Sequence, residues 1–263
     1  MNGRGNFLQV NSRTLIVAAI AFAGFWMLRI GTNSEAFGAG PQVLALVVGL
    51  VLFAAAAVFL YRDRLAQVAR DDTPAIRTPL FARFLFESAR SAPLWLGARI
   101  YLGYEWLDAG RHKIGDAAWM DGGTALQGYW ERAVAIPDTG RPAITYGFFR
   151  EYIQFMLDNG WYGWFAKVIV FGELLVGIAL IVGALTGIAA FFGAMMNMSF
   201  MLAGSASTNP VLFSLSILLI LAWRVAGLIG LDRVLLPALG APWSRGLQVE
   251  HGPAPTNARP SPA

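Results

Sequence analysis

The chain has 263 residues, 56% of them hydrophobic and only 14% charged, with a mean hydropathy of +0.54. A soluble domain carries about 25% charged residues, so the composition predicts a polytopic membrane protein, and the net charge of +4 reads as an orientation signal rather than a nucleic-acid footprint. Cysteine is absent, which excludes disulfides, thiolate metal sites, iron–sulfur ligation and a persulfide carried on this chain.

Six apolar runs approach the roughly 20 residues that a bilayer requires. They cover residues 14–31, 41–61, 93–112, 164–185, 187–203 and 210–230. The first could instead be a signal peptide, with Arg4 and Arg13 as its basic flank, but Trp26 and Arg29 interrupt the run. This divides the chain into a two-helix membrane extension (1–62), a cytoplasmic linker (63–92), a membrane domain (93–240) and a disordered, proline-rich cytoplasmic tail (241–263). Residues 62–92 hold Arg62, Arg64, Arg70, Arg77, Arg83 and Arg90, whereas 32–40 hold no Lys or Arg. The positive-inside rule then places 62–92 and both termini in the cytoplasm of an inner-membrane protein, and 113–163 and 204–210 outside.

The outer loop 113–163 is dense in aromatic residues. Within it, residues 146–160 place Arg150, Glu151, Gln154 and Asp158 on one helical face and aromatics on the other, with Gly160 at the expected end. This predicts an amphipathic helix that lies on the outer surface and lids the bundle.

The third run is unusually polar. At 100° per residue, Arg99, Trp106 and Lys113 form one stripe, while Glu105, Asp108 and His112 form another, about a third of a turn away. Gly103 and Gly110 flank the first stripe and allow close helix approach. Glu173 and Asn197 fall near the middle of the next two spans. A structural reading pairs Arg99 with Glu173 and lets Asn197 hydrogen-bond across the bundle. A functional reading makes this constellation the polar end of a site for a quinone or another headgroup, and a third makes it a proton relay. At the outer mouth, Lys113, His112 and Arg111, with loop residues Arg132, Arg141 and Arg150, read either as interfacial anchors or as a cationic funnel for a small anion. Residues 205–210, SASTNP, read as a turn or as a donor of polar groups at that mouth. The histidines, His112 and His251, give no pair for a buried haem, so a redox-active group would be a dissociable organic molecule or belong to a partner.

Three stretches, RIYLGYEWLDAGRHKI, FGELLVGIALIVGALTG and NMSFMLAGSASTNP, resemble the DoxX family and its DoxD-like branch. The resemblance covers about 93–235 and rests on Arg99, Gly103, Trp106, Gly110 and Lys113 together with Glu173 and Gly177. It implies an all-α integral membrane protein of about six transmembrane helices, the last four forming the family's four-helix bundle. It also implies the membrane subunit of a thiosulfate:quinone oxidoreductase, with electrons passing from a small sulfur oxyanion to membrane quinone and with a second, smaller subunit as partner. On that reading Glu173 and Arg99 are the catalytic candidates, and Lys113, His112, Trp106, Asp108 and Asn197 bind substrate. No haem, metal or iron–sulfur cluster is expected. The rival expectation is a non-catalytic subunit that anchors a redox partner. The bilayer and a homo-oligomer are further expected partners; nucleic acid is not.

Overall fold

The computed structural model describes residues 12–32, 39–61 and 79–241, with side chains at 15–30, 44–45, 47–58 and 79–241. The expectations for the basic stretch 62–78, for Arg4 and the side chain of Arg13, and for His251 in the tail lie outside these residues. All regular structure among the described residues is helical.

Helices α1 (Ser12–Thr32) and α2 (Ala39–Tyr61) match the first two apolar runs. They approach backbone to backbone at Gly24 and Gly49: a β-carbon on Gly49 would stand 2.8 Å from the Gly24 carbonyl oxygen. Within the segment expected as a linker, α3 (Leu80–Glu87) and a 3₁₀ turn (Ala89–Ser91) fold onto the bundle. Phe84 is buried there, and the Trp95 indole N–H donates to the Leu85 carbonyl at 2.7 Å.

Helix α4 (Ala92–Ile114) is the centre of the fold and packs against α1 as well as the later helices. Glycines set both approaches. A β-carbon on Gly97 would meet the Phe22 nitrogen of α1 at 2.7 Å, and one on Gly103 would meet the Gly177 carbonyl oxygen at 2.9 Å. Gly110 likewise rests on Leu174. Small residues at a helix crossing let the two backbones touch, which maximises dispersion contact.

The segment 113–163, expected as an outer loop, holds α5 (Ala117–Met120), α6 (Thr124–Val134) and α7 (Gly147–Asp158). Helix α7 is the expected amphipathic helix. It buries Phe149, Ile153 and Met156, exposes Glu151, Gln154 and Asp158 on one row, and exposes Phe148, Tyr152 and Phe155 on another. Its end is a Schellman turn: Gly160 has φ of +66°, and the Trp161 N–H bonds back to the Met156 carbonyl at 2.9 Å.

Helices α8 (Tyr162–Val182), α9 (Thr186–Leu202) and α10 (Asn209–Leu221) complete a four-helix bundle with α4. The sixth expected run does not continue as one helix. It breaks at Ala222 into α11 (Trp223–Ala226), and α12 (Asp232–Ala238) closes the described chain. The 205–210 stretch is a turn that opens α10, with Asn209 Nδ2 donating to the Ser205 carbonyl at 2.9 Å.

Among the described residues, α8 is long and apolar enough to cross a membrane by length and composition. The apolar stretches Leu15–Ile30, Val47–Val58, Thr186–Leu202 and Asn209–Leu221 are shorter. One face of α8 presents Trp164, Val168, Phe171, Leu175, Ile178 and Val182 outward, an unbroken row at three- and four-residue spacing.

Candidate functional site

The two polar stripes of α4 face different neighbours. The Arg99 stripe points into the four-helix bundle, where Arg99 and Trp106 are buried and Lys113 is partly so. The Glu105 stripe points toward α1, which supplies a cation that the periodicity of α4 alone does not identify. Arg29 Nε lies 2.5 Å from Glu105 Oε1, and its Nη2 lies 3.9 Å from Asp108. The Arg29 guanidinium also sits against the rings of Trp26 and Tyr104, at 5.1 and 5.4 Å from their centroids. The N-terminal hairpin is therefore fastened to α4 by charge as well as by packing.

The expected pairing of Arg99 with Glu173 is corrected. Glu173, only 1% exposed, takes Lys113, whose Nζ stands 2.6 and 2.7 Å from its two carboxylate oxygens. Lys113 also lies 5.2 Å from the Trp119 ring. Arg99 instead sits against Gly183 at the far end of α8. Ten helical positions separate Gly183 from Glu173, about 15 Å along the axis, so the two charges belong to opposite ends of the bundle. The cause is the antiparallel register that the Gly103–Gly177 contact imposes on α4 and α8.

Arg99 is hydrogen-bonded by backbone carbonyls, with the Asp232 carboxylate close enough to act on it electrostatically. Its Nη1 donates to the Ala226 carbonyl at 2.9 Å and its Nη2 to the Ile229 carbonyl at 2.7 Å. Those carbonyls lie in and just beyond α11, where the broken sixth run leaves acceptors that no continuing helix uses. Nearby, the fully buried Asp232 accepts from the backbone N–H groups of Leu185 and Thr186 and so caps the start of α9. Leu185 adopts a left-handed φ of 48° there. Sequence reasoning missed Asp232. A single acid in the otherwise apolar stretch 225–236, apart from its neighbour Arg233, was the available signal.

The cations expected at an outer mouth are largely engaged. Arg111 Nη2 is 3.1 Å from Asp108, and His112 Nδ1 is 2.8 Å from the Asp108 carbonyl and 3.7 Å from its carboxylate. Arg150 donates to the Ile144 carbonyl and ties down the loop before α7. His112 is two-thirds exposed, and Arg132 and Arg141 lie on the surface. Among the described residues no group of three or more His, Asp or Glu is placed to hold a metal ion.

Asn197 is buried on α9, but the expected hydrogen bond across the bundle does not form: neither amide atom has a partner. The Trp106 indole N–H is unpartnered too.

A cavity of about 420 Å³ that apolar patterning does not foretell lies between α8 and α9, roofed by α6 and α7. Its walls are almost wholly apolar. Leu126, Trp130, Phe149, Ile153 and Met156 form the roof side, and Gly172, Val176 and Met196 form the floor. Val168, Leu175, Phe192 and Met195 line it and are also exposed, so its mouth opens sideways on the outward apolar row of α8. The polar atoms at its edge are few. Ser199 Oγ is spent on the Met195 carbonyl, and the buried Tyr129 hydroxyl lies toward Ser205 without a well-formed hydrogen bond. Burial pushes the Tyr129 phenol above its ordinary value, against the opposing influence of Ser205 and Arg132, so it stays neutral.

No protein-family profile, curated protein or solved structure matches this chain.

Proposed function

We propose that the chain is a multi-pass inner-membrane protein that admits a lipophilic electron acceptor of the quinone class into the α6–α9 cavity. It would serve as the membrane half of a DoxX/DoxD-like oxidoreductase. The observation that carries this reading is the cavity with its sideways, apolar mouth. A guest that reaches such a mouth arrives through an apolar phase, and sites for small lipophilic ligands are concave, mostly apolar and a few hundred cubic ångströms in volume.

The bilayer placement is supported by the outward apolar faces of α2, α8 and α9, since soluble proteins rarely expose contiguous apolar patches of that extent. The reading of six spans rests on the apolar runs of the sequence, and that of cytoplasmic termini on the arginine asymmetry of the loops. The buried charges of α4 fit the same placement. Each is held by a neighbouring helix or by backbone carbonyls, as charged groups at membrane depth must be.

The donor side rests on the sequence resemblance. Two thiosulfate dianions that join through a new S–S bond give up one electron each, and these two electrons with two protons reduce one quinone to quinol. The chain has no cysteine, so a thiolate or persulfide redox group would belong to the second subunit that the resemblance implies. Glu173 adjoins Gly172 of the cavity floor without lining the cavity itself, and on this reading the Lys113–Glu173 pair would exchange the quinol protons.

An alternative reading, a non-catalytic subunit that organises a redox partner, is favoured by one specific observation. The cations nearest the bundle, Lys113, Arg111 and Arg150, are already bound to protein acceptors and leave none of the three for a dianion.

One experiment separates the two. Protein purified in lipid nanodiscs is extracted and assayed for quinone, then tested for reduction of decylubiquinone with and without thiosulfate. Stoichiometric quinone and thiosulfate-dependent reduction support the redox reading. Quinone-free protein that reduces nothing supports the scaffold.

A further inference from the structure

Asn197 is 0% exposed, yet its amide oxygen and its amide nitrogen both lack a hydrogen-bond partner. The Trp106 indole nitrogen is buried and unpaired as well. The two residues meet one strip of α9. Trp106 Nε1 stands 2.9 Å from where a β-carbon on Gly193 would be, and Asn197 lies one turn further along the same buried face. Other buried polar side chains of the bundle do have partners. Ser216 bonds to the Leu212 carbonyl, and Glu173 bonds to Lys113. A buried polar group that has lost water and gained nothing is costly, and native structures contain few that lack an explanation.

The cavity floor is one side chain away. Val176 lines the cavity and also stands 3.4 Å from the same β-carbon position on Gly193. Met196, the residue before Asn197, lines it too, with its sulfur against Gly172. Methionine is unbranched and adaptable, so this part of the floor can yield to a guest.

We infer that Asn197 and Trp106 recognise the oxygen of a lipophilic carbonyl compound that enters the cavity sideways, with Met196 moving to admit it. The amide and indole N–H groups both donate to a carbonyl oxygen, and the amide oxygen accepts from the hydroxyl of the reduced form. The apolar mouth restricts the ligand to a lipophile, and the unpaired donors restrict it to one with an acceptor. The inference rests on the reading that the cavity takes such a guest, and adds the atoms that select it. Internal water would satisfy the same atoms but would not distinguish a carbonyl compound from a hydrocarbon.

The test is a titration of the full chain in nanodiscs with decylbenzoquinone and with decylbenzene, which keeps the ring and tail but lacks oxygen. Wild type should bind the quinone about tenfold more tightly, as a net gain of one to two hydrogen bonds implies. Infrared difference spectra should show the bound carbonyl band at lowered frequency. Asn197→Leu and Trp106→Phe should each bring the two affinities together and remove the band shift. Asn197→Leu should melt no lower than wild type, because it replaces an unpaired amide with an apolar group of similar size. If it fails to fold, Trp106→Phe carries the comparison. Equal binding of both probes to wild type, or an unchanged preference in the variants, overturns the role of Asn197 and Trp106 and leaves the cavity reading standing. Wild type that binds neither probe overturns both.

Discussion

Lys113 and Glu173, sixty residues apart in sequence, form a two-pronged ion pair between α4 and α8, with the carboxylate almost wholly sequestered. Breaking a buried pair by removing one partner costs about 3–5 kcal/mol, whereas replacing both with apolar groups is often close to neutral. Glu173→Gln and Lys113→Met should therefore each lower stability by about 3 kcal/mol, the lower figure because Lys113 keeps some access to solvent. The double variant Lys113→Met/Glu173→Leu should recover most of the loss. Thermal melting of the four proteins in detergent gives the coupling directly, and additive losses would show that the pair does not act as a unit.

At the opposite end of the bundle, Arg99 uses both terminal nitrogens, on carbonyls in two different positions of the interrupted sixth run. Lysine offers one compact ammonium on a flexible stem and cannot reproduce that fork. Arg99→Lys should cost about 2 kcal/mol, the scale of a hydrogen bond to a charged group. Asp232→Asn should cost a similar amount, because an amide has one acceptor oxygen where two N–H groups now bond to two. Both losses should appear in the same melting assay. A neutral Arg99→Lys would mean that the carbonyls find other donors.

The contact of Gly103 with Gly177 leaves no room for a methyl group. A β-carbon on Gly177 would lie 2.6 Å from the Leu107 nitrogen, which is backbone and cannot move aside. Gly177→Ala should destabilise by about 1–3 kcal/mol, the range for forced overpacking. Gly115→Ala is the control. Gly115 has φ of −86° and nothing within 4 Å of its β-carbon position, so the change should be nearly silent. Equal melting of the two variants would mean that the helices separate freely.

Orientation is tested by single cysteines introduced into this cysteine-free chain. An impermeant thiol reagent applied to intact cells should label position 140 and not position 75. The reverse pattern would invert the topology.

Much of the helical layout is readable from apolar run length, because helix ends follow the chain's own polarity. Observed α1, α4, α8 and α9 fall within a few residues of the expected spans. The two stripes of α4 were also legible, since helical periodicity alone decides which residues share a face. Their partners were not. Which cation meets Glu173 depends on the sliding register of α4 on α8. That register is set by the Gly103–Gly177 contact, a property of two surfaces rather than of either segment. The break at Ala222 was hidden as well. Apart from Ser214, Ser216 and Arg224, residues 210–230 are apolar, and the interruption is stabilised from a distance by Arg99. The α8–α9 cavity leaves no trace in composition, because the residues that line a void are the same types that fill a core.

The order in which the partners of α4 are synthesised has a consequence for biogenesis. When α4 leaves the ribosome, α1 already exists, so Arg29 can neutralise Glu105 at once. Glu173 follows Lys113 by 60 residues and the Ala226 carbonyl follows Arg99 by 127. At about 5–20 residues per second, α4 waits roughly 3–12 s for the first and 6–25 s for the other. In the membrane reading, this helix is fully compatible with lipid only after the rest of the bundle has been made. Until then it has to be sheltered, in the insertion machinery or beside the hairpin that precedes it. On that reading the N-terminal pair of helices would serve as an escort, with Arg29 neutralising part of the charge before the remaining acceptors arrive.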